Sequence, residues 1–104
     1  MCQEGGGVLD DVLVYRLEDG WGLVVNASKH RKIFSWLLQH RENFDADLHD
    51  QTDATAKVAV QRPRAISLGR EIFANDPSAL LYYGSVSTLL KGQVVLVSRA
   101  GCTG

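Results

Sequence analysis

The chain has 104 residues, which is enough for at most one domain of ordinary size. Its formal net charge of −1 excludes the strong basic surplus that nucleic acids or anionic membranes attract. No apolar run approaches the ~20 residues needed to span a bilayer, and the polar residues Gln3 and Glu4 stand where a signal peptide has its apolar core. Residues 1–104 are therefore expected to form a single soluble domain or a fragment of one.

The first predicted strand covers residues 8–17. Both of its side-chain faces are largely apolar, which indicates an inner strand with other parts of the protein packed on both faces. The run Glu18-Asp19-Gly20 predicts a turn, and residues 21–26 predict a second strand that returns antiparallel to the first. The N-terminal part should therefore contain a β-hairpin.

A helix is predicted over residues 29–41, with Ser28 as its N-cap. Its first turn is strongly basic, which opposes the helix dipole and predicts either solvent screening or an anionic neighbour. Alternating apolar and polar residues over 44–49 then predict a half-exposed edge strand. The apolar stripe of the helix includes Ile33, Phe34, Leu37 and Leu38.

The C-terminal half is predicted to contain three strands and one helix. Residues 57–61 form a short strand, and Pro63 suits the first turn of a helix that Asn75-Asp76-Pro77 ends. Residues 85–90 and 93–98 predict a second hairpin.

The predicted order is therefore β-β-α-β-β-α-β-β. This pattern indicates an α+β fold, with two helices packed on one face of a mostly antiparallel sheet. The helix stripe and the inner strands should then be buried together, which gives a predicted core of Phe34, Leu37, Leu38, Val58, Val60, Val95 and Val97.

The two cysteines, Cys2 and Cys102, lie near opposite ends of the chain. Their spacing leaves a disulfide open, although a pair of cytoplasmic thiols is the favoured interpretation. Neither belongs to a Cys-x-x-Cys pair, and the histidines have no partners at ligand spacing, so no metal site is expected.

The segment Gly5–Asp11 combines three glycines with two adjacent carboxylates. The glycines let a ligand approach the backbone closely. Neighbours on a strand point to opposite faces, so only one of Asp10 and Asp11 can face a shared pocket, whereas Asp11 and Tyr15 share a side. Residue chemistry alone favours a simple strand end over a ligand site.

Four segments together resemble the glycine cleavage T-protein family, the tetrahydrofolate-dependent aminomethyltransferases. Residues 5–11 resemble its Gly-Gly-x-x-Asp-Asp segment, and residues 21–28 resemble its strand ending in Val-Val-Asn-Ala. Residues 61–63 are similar to its Gln-Gly-Pro, and residues 94–104 to the run into Ser-Arg-Thr-Gly-Tyr-Thr-Gly-Glu. The order and spacing of these segments carry the resemblance. Because T-proteins are several times longer, the chain is expected to be a central piece of the folate-binding domain.

The resemblance implies a reaction and a set of site residues. An aminomethyl group on the lipoyl arm of a carrier protein, the H-protein, would pass its methylene carbon to tetrahydrofolate with release of ammonia. Asp11 is the predicted catalytic residue, since proton transfer at the folate nitrogens needs a nearby carboxylate. Asp10 is interpreted as structural. The predicted folate contacts are Tyr15, Val25, Asn26 and Arg99.

Some positions depart from the family pattern. Arg62 stands where the family has a glycine, Ala100 where it has a threonine or cysteine, and Cys102 where it has a tyrosine. The family's next residue, a glutamate that binds the pterin, would follow Gly104. The isolated chain is therefore expected to bind folate weakly, to be inactive and to self-associate. The resemblance implies a location in the cytoplasm, or in the mitochondrial matrix for a eukaryotic parent.

Three functions stay open on sequence grounds. The first is a segment of an aminomethyltransferase. The second is the folate-binding domain of a dimethylglycine- or sarcosine-type oxidising flavoenzyme. The third is a detached, non-enzymatic relative that binds folate or a protein partner. The local sequence around Asn26 and Tyr83 favours the first.

Overall fold

Residues 1–101 are described by a computed structural model, in which the chain divides into two units, one ending at Ala56 and the other beginning at Lys57. In the first unit, strand β1 (Leu13–Leu17) pairs antiparallel with strand β2 (Gly20–Val24), as predicted. Gly20 takes a φ of 150° at the turn, a conformation that glycine adopts easily.

The first strand is shorter than the predicted range 8–17. The glycine-rich segment folds back on itself, because the Gly6 N–H donates to the Gln3 carbonyl and the Gln3 N–H donates to the Gly7 carbonyl. Val8 then bridges to Cys2 instead of extending β1. The prediction of one continuous strand is therefore wrong for residues 8–12, because Val8 and Leu9 pair with Cys2 and Met1 of the N-terminal segment and β1 begins only at Leu13.

Helix α1 (His30–His40) agrees with the predicted helix, but its start differs from the prediction. A 3-10 turn (Ala27–Lys29) precedes α1 and contains Ser28, and within residues 1–101 no side chain caps the first turn of α1. The prediction of Ser28 as N-cap is wrong. The apolar stripe is buried unequally: Ile33 is 1% exposed, whereas Leu38 is 43% exposed.

Residues 44–49 and 57–61 do not pair with any strand in the described part of the chain, so both predicted strands are wrong. Their alternating side chains fit a strand, but a strand also needs a neighbouring backbone to bond, and these segments lack one. Val58 is 83% exposed and Val60 is 54% exposed, so neither is a core residue. The predicted core is also wrong for Leu38, which is exposed, and its other four members, Phe34, Leu37, Val95 and Val97, are only half-buried.

The second unit contains helix α2 (Ala65–Ile72) and an antiparallel hairpin of β3 (Ser85–Leu90) and β4 (Gln93–Ser98). Both strands have the predicted bounds. Phe73 forms a bridge to Leu90, which joins the end of α2 to the hairpin. Gly69 is buried in α2, where an added Cβ would come 2.6 Å from Pro77 Cγ. Glycine therefore allows the close approach of Pro77 to the helix.

The element order across residues 1–101 is β-β-α-α-β-β. The α+β class is confirmed, with two two-stranded antiparallel sheets in place of the single sheet that was expected. Neither helix in this part of the chain has the length and apolar content needed to cross a bilayer. Cys2 is exposed with a free thiol, and the expectation for Cys102 lies outside the described residues.

Arg62 adopts a φ of 107°, a conformation that favours glycine and disfavours residues with a side chain. It lies in the turn before α2, where its carbonyl accepts a hydrogen bond from the Ala65 N–H at 3.0 Å. The family's Gln-Gly-Pro pattern has glycine at this position, and the turn geometry explains that choice. The sequence departure at Arg62 is therefore a point of backbone strain.

Arg62→Gly should raise the free energy of unfolding by about 1 kcal/mol. Relief of roughly 1–3 kcal/mol of strain outweighs the roughly 0.5–1 kcal/mol of backbone entropy that glycine adds to the unfolded state. Arg64→Gly is the matched control, because the φ of Arg64 is −92° and carries no such strain. Urea unfolding of both variants checks the prediction, and equal loss of stability in the two would contradict it.

Candidate functional site

Asp10 is the best-anchored carboxylate at the entrance to the first hairpin. Its side chain is almost fully buried, at 2% exposure for the residue. The Asn26 backbone N–H donates to Asp10 Oδ2 at 3.0 Å, and Asn26 Nδ2 donates to Asp10 Oδ1 at 2.7 Å. One residue therefore satisfies both carboxylate oxygens, and the interpretation of Asp10 as structural agrees with this arrangement.

Lys29 adds a positive charge to the same cluster. Its Nζ lies 3.6 Å from Asp10 Oδ1 and donates to the Leu9 carbonyl at 3.2 Å. Because the Lys29 side chain is 48% exposed, the ion pair is weak, and the two short bonds from Asn26 contribute more to holding Asp10. The hydrogen bonds from Asn26, aided by Lys29, hold the pKa of Asp10 below its ordinary value of 3.8, so this carboxylate is ionised at neutral pH.

Lys29 is the residue of this cluster that sequence reasoning missed, since it was counted only as part of the basic first turn of the predicted helix. The expectation of an anionic neighbour for that turn is nevertheless correct. Asp10 lies beside Lys29, and Asp50 Oδ2 lies 3.7 Å from His30 Nε2. The signal that could have located Lys29 is its spacing of three residues from Asn26, which keeps both near one strand end.

Asp11 is exposed, in contrast to its buried neighbour Asp10. Asp11 and Tyr15 would share one side of a strand only if the strand included residue 11. Because β1 begins at Leu13, the prediction that these two residues share a side is wrong. What the structure provides instead is an exposed carboxylate directly after an anchored residue, at the entrance to the hairpin.

The remaining predicted contacts of the first unit lie on or after the hairpin. Tyr15 is half-buried in β1 opposite Gly22, and Val25 is half-buried just beyond the end of β2. Asn26 follows Val25 and is exposed, although one of its side-chain N–H groups bonds Asp10. An asparagine side chain also has an amide oxygen and a second amide hydrogen, which can bond another partner. The structure thus joins Asn26 to the Asp10–Asp11 segment.

Arg99 belongs to the second unit, where it closes a turn. Its Nη1 donates to the Leu80 carbonyl at 3.0 Å, and its backbone carbonyl accepts from the Tyr83 N–H at 2.7 Å. The Arg99 N–H donates to the Gly84 carbonyl. These bonds hold the segment before β3 in place. The predicted contact of Arg99 with folate stays a prediction.

A shallow depression beside the end of α1 contains none of the predicted site residues, since it is lined by Leu38, Arg41, Glu42 and Phe44. Among residues 1–101 no group of three or more His, Cys, Asp or Glu side chains is arranged to hold a metal ion. The hairpin entrance, with its anchored Asp10 and exposed Asp11, is therefore the candidate site in the first unit.

The family to which this fold and site belong follows from comparison with known proteins. The model of the GCVT N-terminal domain family matches residues 1–104, and the chain belongs to that family. The resemblance seen in the sequence is confirmed.

Three relatives show how far the similarity extends. The chain is 37% identical over 105 residues to an aminomethyltransferase of Thermotoga maritima. It is 38% identical over 106 residues to one of Lysinibacillus sphaericus, and 40% identical over 106 residues to one of Clostridium botulinum strain 657. Each comparison covers 100% of this chain and 29% of the relative, so the chain spans less than a third of their length.

Proposed function

We propose that this chain is a segment of a tetrahydrofolate-dependent aminomethyltransferase of the glycine cleavage system. The observation that carries the proposal is the match of the whole chain to relatives that bear the aminomethyltransferase name. In the proposed reaction a methylene carbon passes from a carrier-bound aminomethyl group to tetrahydrofolate, and ammonia is released. The 104 residues form one part of the larger folate-binding domain.

Asp11 is the proposed catalytic residue. It is exposed and therefore accessible to a bound folate, and its main chain follows directly from the buried Asp10. A carboxylate at this place can exchange a proton with a folate nitrogen and can stabilise positive charge that develops beside it. Asparagine has the same shape but can do neither, which makes this role testable.

Asn26, Val25 and Tyr15 form the proposed pterin contacts in the first unit. Asn26 offers an amide oxygen and one N–H beyond its bond to Asp10, which fits the donor and acceptor edge of a pterin. Tyr15 offers an aromatic face for stacking, and Val25 offers apolar surface. Arg99 of the second unit is proposed as a further contact, because a guanidinium retains donors beyond the one that bonds Leu80.

The proposed partner is the lipoyl-bearing H-protein, and the proposed location is the cytoplasm, or the mitochondrial matrix of a eukaryote. Neither nucleic acid nor membrane is a proposed partner. Self-association of the isolated chain belongs to the same proposal, because large apolar side chains such as Trp21 and Val94 are 72% and 76% exposed. The isolated chain is then inactive until its site is completed by the rest of the protein.

The names of the relatives favour this function over the other two sequence hypotheses. The relatives described above are aminomethyltransferases, and no observation on this chain favours a flavoenzyme domain or a non-enzymatic module.

A chimeric enzyme tests the proposal. Residues 1–104 replace the matched region of the Thermotoga maritima aminomethyltransferase, and ammonia release is measured with aminomethyl-loaded H-protein. We expect turnover that requires both tetrahydrofolate and the loaded carrier. The unmodified Thermotoga maritima protein is the control. A chimera that folds, as judged by circular dichroism and a cooperative melt, yet shows no folate-dependent turnover would contradict the proposal.

A further inference from the structure

We propose that Asp10 is a positioning residue for Asp11: its carboxylate, bound by Asn26 and Lys29, holds the main chain that carries the catalytic group. The inference rests on the proposed function, because it assigns Asp10 a task only if Asp11 acts on folate. Asp10, a buried residue that touches no reacting atom, then affects the rate of the reaction through the position of Asp11.

The anchoring contacts come from a distant part of the sequence. The bonds between Asp10 and Asn26 join residues 16 positions apart, and the bond from Lys29 to the Leu9 carbonyl joins residues 20 positions apart. Leu9 is itself 4% exposed, and its N–H donates to the Met1 carbonyl at 2.9 Å. Two consecutive residues are thus held by side chain and main chain immediately before Asp11.

This anchoring fixes Asp11 through the covalent chain. Adjacent Cα atoms are about 3.8 Å apart across a planar peptide, so an anchored residue 10 leaves residue 11 few backbone positions. Asp11 is exposed and precedes β1, so it lacks the ladder of β1 and β2 to hold it. Precise placement of a catalytic group requires support from neighbouring residues that are themselves held.

The anchor needs a carboxylate and not an amide. Both Asp10 oxygens accept from N–H groups of Asn26. An asparagine side chain at this position would offer one oxygen and one NH₂ group, and the NH₂ group would face a donor. Asp10→Asn therefore loses one bond and loosens the anchor, although the side chain keeps its volume. The reciprocal pair Asp10→Asn with Asn26→Asp restores a donor opposite an acceptor.

The test is a double-mutant cycle in the chimeric enzyme, with Asp10→Asn, Asp11→Asn and both together. Asp10→Asn should lower kcat by about tenfold at a temperature at which the enzyme is fully folded, because a misplaced group reacts poorly. In the Asp11→Asn background the same change should have no further effect, since there is no longer a catalytic group to place. Asp19→Asn, in the exposed turn of the hairpin, is the matched control and should leave kcat unchanged.

If the fold losses in kcat of the two single variants multiply in the double variant, the inference is overturned, because Asp10 then acts independently of Asp11. If Asp11→Asn alone leaves kcat unchanged, the proposed catalytic role of Asp11 fails, and the inference fails with it. If Asp10→Asn does not fold, the reciprocal pair decides. We expect it to restore the melting temperature and kcat while raising KM for tetrahydrofolate, because Asn26 is a proposed pterin contact. Restored melting with kcat still low would overturn the inference.

Discussion

Asp11→Asn should lower the kcat of the chimeric enzyme by about 10²–10⁴-fold, the range expected when a positioned acid–base group is removed. The replacement keeps the size of the side chain but removes the group that exchanges a proton. Because Asp11 is exposed, its replacement should leave the melting temperature unchanged. The loss should therefore be a loss of chemistry and not of folded enzyme.

Steady-state ammonia release measures this effect, with KM for tetrahydrofolate determined in parallel. The informative comparison is with Asp10→Asn, which should lower kcat much less because Asp10 does not touch the folate in the proposed site. Equal losses at the two positions, or a larger loss at Asp10, would refute the assignment of Asp11. Asp19→Asn, which changes an exposed carboxylate outside the site, controls for the loss of one negative charge.

Ile33→Ala should lower the free energy of unfolding by about 2–5 kcal/mol, the usual cost of emptying a buried aliphatic site. Ile33 is 1% exposed and sits in the middle of the first half of α1. Its removal takes apolar atoms out of a packed site and leaves a cavity. Since whole domains are stable by only about 5–15 kcal/mol, this single change should bring the first unit close to unfolding.

Urea unfolding followed by helical circular dichroism measures this effect. Leu38→Ala is the matched control on the same helix. Because Leu38 is 43% exposed, its replacement should lower the free energy of unfolding far less. The sequence-based core included Leu38 and gave it the same weight as Leu37, so the comparison also separates that core from the one in the structure. If Leu38→Ala lowers the free energy of unfolding as much as Ile33→Ala does, the burial assigned to the two positions is wrong.

The elements that sequence reasoning located correctly are those with local causes. Strands β3 and β4 are runs rich in β-branched and apolar residues, joined by a tight turn that contains Gly92, whose φ is 81°. Turn chemistry and residue type both lie within a few residues, so they can be recognised without knowledge of the rest of the fold. The two helices were located for the same reason, since the apolar spacing of the first and the start and stop signals of the second lie within or beside each segment.

The predictions that failed needed a partner from elsewhere in the chain. Residues 44–49 alternate as a strand does, yet alternation states only which side chains would be buried and not which backbone would pair with them. The same holds for residues 57–61. The shortened first strand has a different cause, because Val8 and Leu9 pair with Cys2 and Met1 of the N-terminal segment.

The sequence by itself determined the family and the α+β class, because these depend on residue types in a fixed order, and the catalytic role of Asp11 stays a proposal. The tertiary structure alone decided that Asp10 is buried and that Asn26 and Lys29 hold it. Those contacts join residues 16 to 20 positions apart, and only the folded hairpin and the 3-10 turn after it bring such residues within hydrogen-bond distance.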